Sequence, residues 1–299
     1  MNGVIALGRH AGPFLPAPIH VVHVDPAEVL GDLGAMHDLL SHQLAVQQPL
    51  LVIYPATLGD APARAISTVR AALDGAPLLW HATGLPPLAA DVLVTLAAAL
   101  HEPLGDAAVV AAALPLLEQQ IVHLAWVPSV TGLRAPAPTV WQHARSMAPG
   151  GSWLVSSWPE PGIHRLGSGD LPALPSPAQE VGVVVADLDG DLTWITPTVM
   201  AHMPAAVGVQ VEPPADSAAW WGCRRVTQVV VYPRSVEQLA RALRGHLDPG
   251  PCGWCRRTVG SRICPWCELP RNGLTRLVEA EQPGVMNELF NDVREVGAR

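Results

Sequence analysis

Lysine is absent from this 299-residue chain; all 18 of its basic side chains are arginine. That absence excludes a Walker-A or kinase phosphate lysine, a Schiff-base lysine and a Ser-x-x-Lys acyl enzyme. Phenylalanine and tyrosine are nearly missing too, with two of each, and charged residues make up 15% of the chain. A typical domain carries about 25%. No apolar run reaches the roughly 20 residues of a membrane-spanning helix, the longest being residues 107–117. The N-terminus lacks a basic stretch followed by an apolar core, so no secretory signal is expected. A cytoplasmic protein without a membrane partner is the reading that follows.

What is present is unevenly placed. The net charge is −8, yet residues 1–218 hold six arginines against eighteen acids, while residues 219–299 hold twelve against eight. An acidic body therefore precedes a basic tail. Hydrophobic residues reach 49% and ten tryptophans replace the usual smaller aromatics, nine of them between positions 126 and 266. Large rings in such a chain are most simply core filler. The length allows one large or two ordinary domains with a sizeable core.

Residues 1–160 read as an α/β domain. Compact apolar strands are expected at 19–25 (IHVVHVD), 50–54 (LLVIY), 77–81, 121–127 and 152–158 (SWLVSSW). Helical stretches at 26–46, 60–73, 86–101, 106–120 and 139–147 separate them, the first opened by Asp25-Pro26 as cap and N1 proline. Such alternation predicts a Rossmann-like, mostly parallel sheet covered on both faces. Residues 161–179 are rich in proline and glycine and read as a linker. Residues 180–248 read as a smaller α+β region, with a hairpin turning at Asp189-Gly190, strands at 207–211 and 226–232, and a helix at 235–247. Residues 249–270 hold the cysteines, and residues 271–299 read as an amphipathic helix carrying Met286, Leu289, Phe290 and Val293.

Four of the five cysteines form two C-x-x-C pairs, Cys252-Gly-Trp-Cys255 and Cys264-Pro-Trp-Cys267, eight residues apart. Each pair can fold as a knuckle that aims two thiolates at one point, and two knuckles complete a tetrahedral S₄ shell. These residues resemble a Cys₄ zinc ribbon over 249–270, with the spacer 256–263 as a minimal hairpin tipped by Gly260. The resemblance implies one structural zinc, because four protein ligands leave no open position. A redox dithiol and an iron or iron–sulfur centre use similar residues and remain open as alternatives. Cys223 stands apart and reads as a buried thiol. Around the ribbon, Arg256, Arg257 and Arg262 with Trp254 and Trp266 make a composition that grips phosphates and stacks on bases. They are the candidate partner-binding residues.

Other motifs point less far. The run from Val184 to Leu192 resembles the Asp motif of haloacid-dehalogenase phosphatases, but Asp191 stands where that motif has threonine and no lysine exists to complete the site. Residues 121–158 resemble the late part of a class I methyltransferase sheet, and Asp25 ends a strand as a ribose-binding acid does. The glycine-rich loop of such a fold is missing. The twelve histidines include His37 and His42, five apart, which misses the i, i+4 geometry of a helical metal pair. No G-x-S-x-G elbow occurs. The sequence therefore predicts a non-enzymatic zinc-binding protein that engages a protein or nucleic acid through its C-terminal ribbon as a regulatory module. An S-adenosylmethionine-dependent methyltransferase with an appended ribbon is the enzyme alternative, and a structural assembly component the third.

Overall fold

The computed structural model describes residues 3–8, 21–148, 151–166, 180–202 and 206–271. In chain order its elements begin with β1 (Gly3–Leu7), β2 (Val21–Val24), α1 (Pro26–Val29), α2 (Leu33–Val46), β3 (Leu50–Pro55), α3 (Ala61–Ala72), β4 (Leu78–Thr83), α4 (Pro87–Leu104) and α5 (Ala107–Glu118). They continue with β5 (Val122–Val127), α6 (Val140–Ser146), β6 (Trp153–Trp158), β7 (Gly162–Arg165), β8 (Val181–Leu188), α7 (Ile195–Thr198) and β9 (Val207–Val211). The described chain closes with α8 (Ser217–Trp221), β10 (Val226–Pro233), α9 (Val236–Arg244), β11 (Gly250–Pro251) and β12 (Thr258–Val259).

Two sheets form instead of one. The first is wholly parallel, in the order β2-β1-β3-β4. Because successive strand residues face opposite sides, Ile5, Leu7, Leu50 and Val52 pack with Met36, Leu40 and Ile66 of α2 and α3. The alternate residues Val4, Ala6, Leu51 and Ile53 pack with α4 and α5. The second sheet is mixed, in the order β7-β6-β5-β10-β8-β9, antiparallel except for the parallel pair β8–β9.

The single, mostly parallel sheet expected from the sequence is thus corrected. Residues 121–127 and 152–158 are strands, but they pair antiparallel to each other in the second sheet. A continuous apolar run buried on both faces reads the same in either kind of sheet, which is why pattern alone misplaced them. β5 and β6 also share that sheet with β8 and β10, so one sheet draws on chain from both sides of residues 167–179.

Three local expectations change. The hairpin at Asp189-Gly190 does not form, because Asp191 Oδ1 accepts from Thr193 N at 2.8 Å and Oγ1 at 2.6 Å and turns the chain into α7. β8 finds its partners in β10 and β9. Within the expected linker, Gly162–Arg165 is the edge strand β7 beside β6. The helix expected over 26–46 is broken between Leu30 and Asp32, and Asp32 caps α2 through Gly34 N and Ala35 N. The expected C-terminal helix over 271–299 lies outside the described residues from 272 onward.

α4 lies between the sheets. Leu88, Val92, Leu93, Leu96, Ala97 and Leu100 are wholly buried in one core with Val4 and Leu51 of the first sheet, Val184 and Val230 of the second, and Leu239 of α9. By length and composition α4 qualifies as a membrane-crossing helix, but two thirds of it is buried inside the protein. Its apolar circumference is that of a core helix. Gly105, in the left-handed region at φ +84°, ends it by donating to His101 O.

The second sheet also buries a polar group. The ring of His123 on β5 is fully buried, stacks on Trp221 at 5.3 Å and shares a 2.7 Å hydrogen bond with Ser157 Oγ. Burial holds its pKa down at about 3, an effect that a hydrogen bond with Gln228 only partly offsets. The folded value lies below the unfolded one of about 6.5, so the unfolded chain takes up the proton first and acid favours unfolding. Stability should be complete above about pH 6.5 and fall by up to about 1.4 kcal/mol per pH unit toward pH 3. Denaturant midpoints measured against pH will show this slope, and His123→Gln should reduce it, the remainder above about pH 4 coming from His101, whose burial also holds its pKa down at about 4.

Candidate functional site: a strand-end cleft and a four-thiol centre

In the order β2-β1-β3-β4 the chain leaves β1 toward one side and β3 toward the other, so a crevice opens between their carboxyl ends. Such switch points are where open α/β sheets bind ligands. Here Leu7 at the end of β1, Gly8 after it, and Tyr54 and Pro55 at the end of β3 line one side. Ala90 and Val94 of α4 supply the facing wall, with Thr83 and Asp91 beside them. The cleft has an open part of about 440 Å³ between Asp25, Leu30, Thr57 and Leu58. A narrower inner arm of about 30 Å³ runs toward Ile53 and Val94. Gly8, Pro55 and Asp216 border both parts. The walls are largely apolar and the carboxylates Asp25, Asp91 and Asp216 mark the polar positions.

Asp25, expected to bind a ribose in the enzyme reading, caps α1 instead by accepting from Ala27 N at 2.9 Å. The other cleft residues were missed from the sequence. Their one legible signal is position, at strand ends of a parallel sheet, and the strand order that makes those ends meet cannot be read from a single chain.

The second centre is the cysteine segment. The sulfurs of Cys252, Cys255, Cys264 and Cys267 all lie within 4.8 Å of one another. The closest pairs cross between knuckles, Cys252 to Cys267 at 3.7 Å and Cys255 to Cys264 at 3.6 Å. Four sulfurs about 2.3 Å from a central ion stand about 3.8 Å apart in a tetrahedron, so the four thiols are positioned to hold a metal ion. They are too far apart to be disulfides, whose sulfurs sit about 2.05 Å apart.

The two knuckles repeat each other bond for bond. Cys252 N donates to Arg257 O and Cys264 N to Leu269 O, each at 2.9 Å. Arg256 N donates to Cys252 O at 3.1 Å and Glu268 N to Cys264 O at 2.8 Å. The residue after each second cysteine is left-handed, Arg256 at φ +63° and Glu268 at φ +61°. Short pairings close both loops, β11 with β12 around the first knuckle and an Ile263–Pro270 bridge around the second. The minimal hairpin over 256–263 is therefore not what forms. Gly260 packs on α5, where a Cβ would stand 3.0 Å from Ala112 Cβ and 3.3 Å from Val109 Cα.

Burial is the largest influence on both inner thiols. It carries Cys264 up to about 12, while at Cys252 it is outweighed by N–H groups of Cys255 and Trp254, leaving that thiol at about 7. Cys223 is separate; burial raises its thiol and its sulfur donates to Arg225 O at 3.2 Å.

The segment is fastened to the body. Cys252, Cys264, Val259 and Trp266 belong to the same core as α4 and α5. Arg70 of α3 donates to Trp266 O and, at 3.2 Å, to Pro265 O, and pairs with Glu268 at 3.3 Å. Of the expected partner-binding residues, Trp266 is only 8% exposed and Arg257 stacks on it at 5.1 Å. Trp254, Arg256 and Arg262 are on the surface. Among the described residues the histidines assemble no metal group.

No protein-family model matches the chain, and no curated protein matches its sequence. Solved structures do share the fold. A fatty-acid (stearic acid)-binding protein from Eubacterium ventriosum superposes with a TM-score of 0.55 at 12% identity, over 80% of this chain and 100% of that one. A DegV family protein from Thermus thermophilus, described as fatty-acid binding, gives 0.52 at 12% identity over 78% and 99%. A DegV lipid-binding protein from Thermotoga maritima gives 0.51 at 10% identity over 79% and 100%. At these identities the likeness establishes the fold.

That fold corrects the functional reading of the sequence. It is shared with lipid-binding proteins, so the expectations of a ribbon-driven regulatory module and of a methyltransferase do not hold. The protein or nucleic-acid partner expected at the basic ribbon falls with them; of its residues, Trp266 is buried with Arg257 stacked on it.

The docking is testable. Arg70→Ala leaves the carbonyls of Pro265 and Trp266 without their donor, a loss of about 1–3 kcal/mol at the contact. Limited proteolysis should then cut within residues 250–271 much faster than in the parent chain, with the far-ultraviolet circular dichroism of the body unchanged.

Proposed function

We propose that the chain binds the acyl chain of a lipid in the strand-end cleft and carries one structural zinc in its four-thiol ribbon. The observation that carries the first part is the apolar crevice at the switch point of the parallel sheet. It is bounded by Leu7, Tyr54, Ala90 and Val94, within a fold that fatty-acid-binding proteins share. Its open part, about 440 Å³, falls in the range of about 300–1,000 Å³ of small-molecule sites. The inner arm, about 30 Å³, has room for about one water. Seating several methylenes there requires Leu7, Tyr54 and Val94 to move apart. Each buried methylene contributes about 0.8 kcal/mol, so even a partly inserted chain gains most of its affinity from these walls. Asp25 and Asp216 border the open part, while Asp91 lines the inner arm.

The ribbon supplies stability. Zinc suits a closed shell of four thiolates, and its binding is worth on the order of 10 kcal/mol to a segment this small. A reducing compartment, the cytoplasm, keeps those thiols available.

Two measurements test these assignments. Stearate should displace a fluorescent fatty-acid probe from the purified chain. Ala90→Phe, which fills the wall of the cleft, should weaken that binding at least about tenfold, the loss of two or so methylene contacts, at unchanged melting temperature. Equal affinity in both proteins would place the ligand elsewhere. Elemental analysis of the reduced chain should find one zinc, lost in Cys264→Ser; a metal-free chain with a well-folded ribbon would overturn the zinc assignment.

A further inference from the structure

We infer that the four-thiol centre is an oxidation site for hydroperoxides, in which Cys255 and Cys267 are attacked and Cys264 and Cys252 resolve them into two disulfides between the knuckles. The inference rests on the metal-site reading above and goes beyond it. Its basis is an asymmetry within each close sulfur pair. Cys252 and Cys264 are fully buried, whereas Cys255 and Cys267 are partly exposed. The pairs at 3.7 Å and 3.6 Å each join one buried and one exposed sulfur. Each thiol that a small oxidant can reach therefore has its own shielded partner within about 4 Å. The partner must close by less than 2 Å to reach disulfide bonding distance.

Two further features act on the exposed members. Each directly precedes a residue other than glycine in the left-handed region, Arg256 after Cys255 and Glu268 after Cys267. That conformation is unfavourable for side chains with a Cβ, so opening a knuckle relieves strain at the exposed cysteine. The residues that follow both cysteines, Arg256 and Glu268, are themselves exposed, so solvent reaches each of these sulfurs from that side.

The chemistry balances with peroxide as oxidant. The Cys255 thiolate attacks one peroxide oxygen, the O–O bond breaks, and the departing hydroxide takes a proton from solvent to leave as water. The sulfenic acid that results is attacked by the Cys264 thiolate. The S–S bond forms as the S–O bond breaks, and a second protonated hydroxide leaves as water. Cys267 and Cys252 repeat the sequence. Two peroxides accept four electrons from four thiolates, and no thiolate would remain to hold a metal.

The test uses the full chain, reduced and zinc-loaded, exposed to hydrogen peroxide beside a metallochromic dye. Zinc measured before peroxide is added checks the metal site alone, and a chain without it overturns that reading first. With zinc present, we expect release of the whole complement, loss of four hydrogens in mass, and peptides linked Cys252–Cys267 and Cys255–Cys264. Cys223 should remain alkylatable, and thiol reductant with zinc should restore the site. Arg256→Gly, which relieves the left-handed strain beside Cys255, should slow release about tenfold. Retained zinc and free thiols at peroxide levels that oxidise glutathione would overturn the inference. So would bridges within a knuckle, or sulfinic acids in place of disulfides.

Discussion

The structure depends on a helix whose apolar surface is too wide for one sheet to cover. α4 buries Leu88, Val92, Leu93, Leu96, Ala97 and Leu100 completely, and a helix so largely apolar must be covered on more than one side. One sheet covers an amphipathic helix; this one needs two. The parallel sheet takes one side through Val4, Leu51 and Ile53, and the mixed sheet and α9 take another through Val184, Val230 and Leu239. The same requirement explains why an 18-residue segment with membrane-like hydropathy sits inside a protein. It also explains the cleft, because the N-terminal turn of α4 runs past the carboxyl ends of β1 and β3 and turns the switch point into a walled crevice.

The ribbon extends that core. Its knuckles are too small to bury their own thiols, so Cys252, Cys264 and Trp266 are buried against α5 and share the cluster centred on α4. Arg70 then satisfies carbonyls of the second knuckle and stands 6.0 Å over Trp80 of β4. A metal at the four sulfurs would order the segment, and the body would orient it. Neither contribution replaces the other, since thiolate ligation is indifferent to where the knuckles dock and the docking contacts do not draw four sulfurs together.

Much of this was legible in the residues. Strand positions 50–54, 121–127 and 226–232, the helix starts at Asp25 and Ser235, and the thiol quartet follow from pattern and spacing. What failed was pairing. Leu124 to Trp126 and Leu154 to Val155 carry the same apolar run whether their neighbours run parallel or antiparallel, so the second sheet was folded into the first. The knuckle pairings failed for a related reason: Gly260 signals a tight place, and the close neighbour proved to be α5 and not a hairpin tip. The cleft was invisible because its residues are ordinary. Leu7, Tyr54, Ala90 and Val94 are unremarkable until the strand order brings them together.

The charge asymmetry acquires a structural meaning through the placement of the two centres. α3 leaves the carboxyl end of β3 and returns to the amino end of β4, so Arg70 near its close holds the ribbon at the end of the parallel sheet opposite the cleft. The acids Asp25, Asp91 and Asp216 line the cleft at the other end. Arginine suits the holding of the ribbon better than lysine would, because its planar group can donate to Pro265 and Trp266 carbonyls while lying over an indole. Of the arginines in the basic tail, Arg225, Arg234, Arg257 and Arg271 are engaged within the chain, on Asp189 O, Glu180, Trp266 and Asp248, while Arg256 and Arg262 stay on the surface.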